Sequence, residues 1–108
     1  MVSIGETDEQ LFKAVKKYGI TDLEGISLQE GVQARFIQYP DGKCLIRTRS
    51  KVNNVVELAR LQHEIFHAVT LILDRIGIKF CLLSSDEAYA YALQYLTQKI
   101  YEKLKIRF

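Results

Sequence analysis

The 108 residues contain two histidines, and these stand four apart with a glutamate directly after the first: His63-Glu64-Ile65-Phe66-His67. Residues four apart on an α-helix are neighbours on one face, with Cβ atoms roughly 5 to 6 Å apart, so two imidazoles in this spacing can converge on one zinc ion. Glu64 falls beside that line rather than on it. From there its carboxylate can reach a water at the open coordination position, accept a proton and hand it to a leaving group. The H-E-x-x-H spacing is therefore what a hydrolytic zinc site asks for. The competing explanation is coincidence, which at equal residue usage produces the pattern in roughly one chain of this length in a hundred. Against coincidence stand three features: there are no other histidines, the pair falls mid-helix, and it lies beside an apolar stripe rather than within it.

A catalytic zinc takes a third protein ligand and keeps one position open. Glu87 is the expected third ligand, because it opens the next long helix, which a short connection over residues 77–85 can fold back against the first. The alternative role for Glu87 is a capping box with Ser84, in which the carboxylate reaches back to the backbone. Asp86 is the second candidate. Cys81 is a third, since thiolate binds zinc well, although its apolar surroundings favour a core position. Asp74, seven residues after His67, can orient an imidazole through its free N–H, or simply be solvated near the helix end. Tyr91 shares the face of Glu87, where a phenol can stabilise an oxyanion; packing in the core is its other reading.

These residues need elements to hold them. Asn54 and Glu57 form the pattern of a capping box, and no breaker follows until Gly77, which predicts a helix of roughly six turns with Leu58, Ile65, Val69, Ile72 and Ile76 as its apolar stripe. Ser84-Ser85-Asp86 starts a second long helix, with Tyr89, Leu93, Leu96, Ile100 and Leu104 at three- and four-residue spacing. A short strand is expected between them, over residues 78–83. Upstream, residues 9–18 read as a short amphipathic helix with Leu11, Phe12 and Val15 on one side, ended by Gly19. Residues 33–38 and 43–48 are β-prone runs flanking Tyr39-Pro40-Asp41-Gly42, a hairpin signature in which Pro presets the turn and Gly supplies positive φ. Alternation puts Ala34, Phe36, Cys44 and Ile46 on the face expected to pack against the motif helix. The fold class is α+β: a hairpin or small antiparallel sheet packed on two long helices, with a short N-terminal helix.

The length fits one domain, residues 1–108, and 48% hydrophobic with 26% charged residues is ordinary globular composition, so a core forms without staples. Any metal would then be present for chemistry. A net charge of +2, from 15 basic and 13 acidic residues dispersed along the chain, argues against nucleic-acid binding. The denser basic stretches, residues 47–51 and 99–107, read as solvated faces. Cys44 and Cys81 lie apart within apolar runs, which points to buried thiols in a reducing compartment. No signal peptide and no apolar run long enough to span a bilayer is seen, so a soluble, cytoplasmic protein with no membrane partner is expected.

The segments Leu61-Gln62-His63-Glu64-Ile65-Phe66-His67-Ala68, Leu73-Asp74-Arg75-Ile76-Gly77-Ile78 and Asp86-Glu87-Ala88-Tyr89-Ala90-Tyr91 give residues 43–104 a likeness. This stretch resembles small H-E-x-x-H proteins of phage and prophage origin and, more distantly, the minimal gluzincin-like metallopeptidases. The resemblance implies a zincin-like fold, a zinc cofactor, a peptide or protein substrate, and a glutamate ligand on the following helix, at the position of Glu87. It also implies that residues 43–49 form the strand along which substrate adds. The additional domain that walls the cleft in larger relatives is absent from this sequence. Two functional readings follow: a zinc metallopeptidase-like hydrolase, or a non-catalytic phage-derived or intracellular interaction module whose metal site is structural or unused.

Overall fold

The computed structural model describes residues 1–16, 27–28, 30–39 and 43–106. Their contacts gather into two compact units, residues 1–61 and 62–108. In order along the chain, the described elements are β1 (Val2–Ile4), α1 (Asp8–Lys16), β2 (Ala34–Gln38), β3 (Cys44–Thr48), α2 (Val55–Arg75) and α3 (Asp86–Leu104). The chain is thus a small α+β protein, with three helices and a three-stranded mixed sheet among the described residues.

In the first unit the hairpin forms as its pattern predicts. Strands β2 and β3 are antiparallel, with Phe36 opposite Ile46 and Ile37 opposite Leu45. Tyr39 N–H donates to the Lys43 carbonyl at 2.9 Å, closing the ladder at the turn end. The turn residues 40–42, and the expected helix stop at Gly19, lie outside the described residues. The sheet is not purely antiparallel, because β1 joins the other edge of β3 in parallel, Val2 opposite Ile46 and Ile4 opposite Thr48. Three residues are too few for a periodicity to announce them.

With a neighbour on each side, β3 is the central strand, in the order β1-β3-β2. Its residues Leu45 to Thr48 are all buried. That overturns the expectation that residues 43–49 offer an edge to a peptide: both sides of β3 already carry a strand. Helix α1 starts on a reciprocal cap, Gln10 N–H to the Thr7 hydroxyl at 3.2 Å and Thr7 N–H to the Gln10 side chain at 2.9 Å. Its buried Leu11 and Val15 cluster with Ile37 and Leu45, and Phe12 and Tyr39 pack at the margin. Each such side chain contributes about 1.5 to 3 kcal/mol by leaving water. The core cluster is therefore built on the Ile37/Leu45 face, while Phe36 on the other face is half-buried.

Helix α2 begins on the expected cap. Glu57 N–H donates to Asn54 Oδ1 at 2.9 Å, and the Glu57 carboxylate reaches back to Asn53 N–H at 3.0 Å, one residue earlier than the simplest box. It ends at Gly77, whose φ of 83° allows Gly77 N–H to bond Asp74 O at 3.0 Å and Ile78 N–H to bond Leu73 O at 2.9 Å. That bond pair is a Schellman stop.

In the second unit α3 runs back along α2. The Gln62 amide receives the Tyr101 hydroxyl at 3.0 Å and donates to Thr97 Oγ1 at 3.0 Å, and near the reversal Tyr89 donates to the Ile78 carbonyl at 2.8 Å. Residues 78–81 have no regular structure and 82–85 form a turn in place of the expected strand, and Ser85 gathers the segment: its hydroxyl accepts from Cys81 N–H at 2.7 Å and donates to the Lys79 carbonyl. Among the described residues no helix is long and apolar enough to cross a membrane.

Candidate metal centre

Helix α2 carries His63, Glu64 and His67 in one continuous run, well away from either end. Its buried side is Ile65, Ala68, Val69 and Leu73. The predicted stripe holds at Ile65 and Val69 and fails at Ile72 and Ile76, which are exposed while Leu73 takes the inward place. At 100° per residue the two histidines lie on the opposite side from Ile65 and Val69, and both are exposed.

The two imidazoles meet. Their Nε2 atoms are 3.2 Å apart and the rings are edge to face, with centroids 4.8 Å apart. One proton shared between these nitrogens makes an N–H···N hydrogen bond. The same separation suits a metal: with zinc–nitrogen bonds of about 2.0 to 2.1 Å, a 3.2 Å span corresponds to an angle of about 100 to 106° at the ion, near tetrahedral. Two neutral imidazoles so placed are a fitting donor pair for zinc.

Glu64 lies on the flank between the exposed and buried sides, and only 7% of it reaches solvent. Among the described residues no hydrogen bond or ion pair engages its carboxylate, which leaves it open to accept a proton. It sits one residue from His63 and three from His67 on the same helix.

The remaining candidates are not gathered with these three. Among the described residues no group of three His, Cys, Asp or Glu side chains is placed to hold an ion together. Glu87 is exposed in the first turn of α3, two residues from the buried Tyr89 and so on the far side of that helix. The Ile78–Tyr89 and Gln62–Thr97 contacts set the antiparallel register, which puts Glu87 level with the end of α2, on the order of 13 Å along the axis from His67 at 1.5 Å per residue. The capping-box role is not realised either: Ser85, not Ser84, is the N-cap, and it makes no side-chain cap bond. Asp86 is half-buried beside it. Cys81 is exposed rather than in the core, and Cys44 is half-buried. Asp74 is exposed at the end of α2, in keeping with solvation. Tyr91 is 67% exposed, which excludes the core role it was expected to have.

Gln62, directly before the motif, carries a role that sequence reasoning missed: its side chain ties α2 to both Thr97 and Tyr101. The signal for it was position: Gln62 stands four residues after Leu58 and three before Ile65, a polar side chain in line with the predicted apolar stripe. Burial of the Tyr101 phenol, pushed above its ordinary pKa by desolvation, marks the same contact as sheltered from water.

Comparison with known proteins finds no family model that matches the chain, and no similar protein among curated sequences or solved structures. The likeness of residues 43–104 to small H-E-x-x-H proteins accordingly rests on the residues themselves.

Proposed function

We propose that the protein is a zinc-dependent hydrolase of the H-E-x-x-H kind, acting on a peptide or another amide, with His63 and His67 as metal ligands and Glu64 as the general base. The observation that carries this reading is the 3.2 Å approach of the two Nε2 atoms with an unengaged, largely buried carboxylate on the adjoining flank of the helix. When bound, zinc supplies a Lewis acid that polarises a carbonyl and eases deprotonation of water. Glu64 takes that proton and returns it to the leaving amine. Glu87 is the carboxylate that the order of elements nominates as third ligand, and it must come from where the first turn of α3 now holds it. Tyr91, exposed one turn further along, is the nominated oxyanion donor. The finer zincin-like arrangement, with sheet beside motif helix, belongs to this same proposal, as does a cytoplasmic location.

Zinc content and turnover on a peptide library, measured on parent, His63→Ala and Glu64→Gln, test the reading. His63→Ala should lose zinc, and uptake should fall in acid, where protons compete with the metal for the ring nitrogens. Glu64→Gln should keep zinc and lose roughly 10²- to 10⁴-fold in rate. Equal cleavage by Glu64→Gln and the parent would refute the assignment.

A second reading has its own support. Phe80, Leu82 and Leu83 are exposed on the loop that Ser85 holds together, and Leu83, at φ 76°, is 93% exposed. A hydrogen-bonded loop presenting large apolar side chains favours a non-catalytic interaction module. A metal-free protein insensitive to chelator would favour it over the hydrolase.

A further inference from the structure

We infer that a second copy of this chain completes the zinc coordination, His63 and His67 of each copy closing around one ion on a two-fold axis. This rests on the reading that the two histidines hold zinc, and it concerns what fills the other two positions. Three observations carry it. His63 and His67 are exposed on the side of α2 opposite the buried Ile65 and Val69, the side from which another molecule can reach them. Among the described residues no third His, Cys, Asp or Glu is gathered with the pair. The pair spans 3.2 Å, close to one edge of a zinc tetrahedron.

A zinc tetrahedron has two opposite edges at right angles, and a two-fold axis through its centre exchanges them. A second identical pair therefore fits the vacant edge by symmetry alone, the self-complementary contact that cyclic dimers use. Because an i, i+4 pair runs along its helix, the two α2 helices must cross steeply and touch only near the ion. The side chains flanking the pair suit that crossing: Phe66 is exposed and apolar, and Thr70 is short, its hydroxyl turned back onto the His67 carbonyl at 2.9 Å. Contact so limited falls far below the roughly 1,200 Å² of a stable interface, so association depends on the metal. The closed dimer leaves no position for substrate. Hydrolysis belongs to the monomer, and the second copy competes with Glu87 and water for the same two positions.

The test is metal content and mass together, on the full chain, by elemental analysis and light scattering across a zinc titration. The expected result is a monomer in chelator, and with zinc a dimer holding one ion per two chains. His67→Ala should stay monomeric at every zinc concentration. Phe66→Glu, which leaves all ligands in place but puts two carboxylates at the crossing, should weaken dimerisation by at least tenfold. A monomer binding one zinc per chain would overturn the inference and leave the hydrolase reading standing. No zinc uptake at all would overturn both. A dimer that persists in chelator, or that survives His67→Ala, would also overturn it, since the metal would then not be what joins the copies.

Discussion

The guanidinium of Arg47 is held by Asp8 at 2.6 Å and donates to the Glu6 carbonyl at 3.1 Å, with 2% of its surface exposed. Asp8 in turn accepts the Ser27 hydroxyl at 2.8 Å. These contacts hold the Asp8 carboxyl below its ordinary pKa, the Ser27 hydrogen bond first and Arg47 next. A carboxyl whose pKa is depressed by folding stabilises the fold fully above its unfolded value of about 3.9, and that contribution is lost as pH falls through the folded value. Asp8→Asn should cost about 1 to 2 kcal/mol at neutral pH, discounted because the Asp8 side chain is 43% exposed. It should also flatten the fall in stability below pH 4. Urea midpoints of parent and variant at pH 7 and pH 3 check this, and equal losses at both would show that the pair is idle. The meeting of the two histidines was legible because four-residue spacing alone brings their rings together on α2. Arg47 was not legible: in a run of basic residues it read as solvated, and only the ion pair, with a residue 39 positions earlier, explains its burial.

Among the elements, those with a local cause were readable and those with a tertiary cause were not. The cap at Asn54, the stop at Gly77 and the pairing of β2 with β3 each follow from residues a few positions apart. The parallel addition of β1 pairs Val2 with Ile46, far along the chain, and nothing local encodes it. Its consequence is energetic. Both faces of the central β3 are buried, Leu45 and Arg47 on one and Ile46 and Thr48 on the other, and the expectation that Phe36 and Ile46 mark the single buried face gives way to a core cluster around Leu45 and Ile37. Leu45→Ala should cost roughly 2 to 5 kcal/mol, as a fully buried large-to-small change, and more than Phe36→Ala. Denaturant midpoints of the two variants settle the order. The reverse order would mean that the half-buried ring of Phe36, not the centre of β3, organises this unit.

At the scale of the whole chain, the Asp8–Arg47 pair lies in the unit spanning residues 1–61, whereas His63 and His67 lie in that spanning 62–108. On the proposed zinc reading, acid and zinc therefore act on different parts. Lowering the pH through the depressed pKa of folded Asp8 protonates it and removes an anchor of buried Arg47, so opening should begin around the sheet and α1. Zinc at a hundred times its dissociation constant stabilises whatever unfolding would destroy the site by about 2.7 kcal/mol, which is roughly a hundredfold slower exchange for amides that exchange only through that unfolding. Hydrogen exchange read segment by segment separates the two effects. Zinc at pH 7 should slow exchange most in α2 from residue 62 onward and in α3, which the Gln62 contacts tie to it. Acid should speed exchange first in β3 and α1. His67→Ala should abolish the zinc effect and leave the acid effect unchanged. Uniform slowing of every segment by zinc would show instead that the two units unfold as one cooperative body.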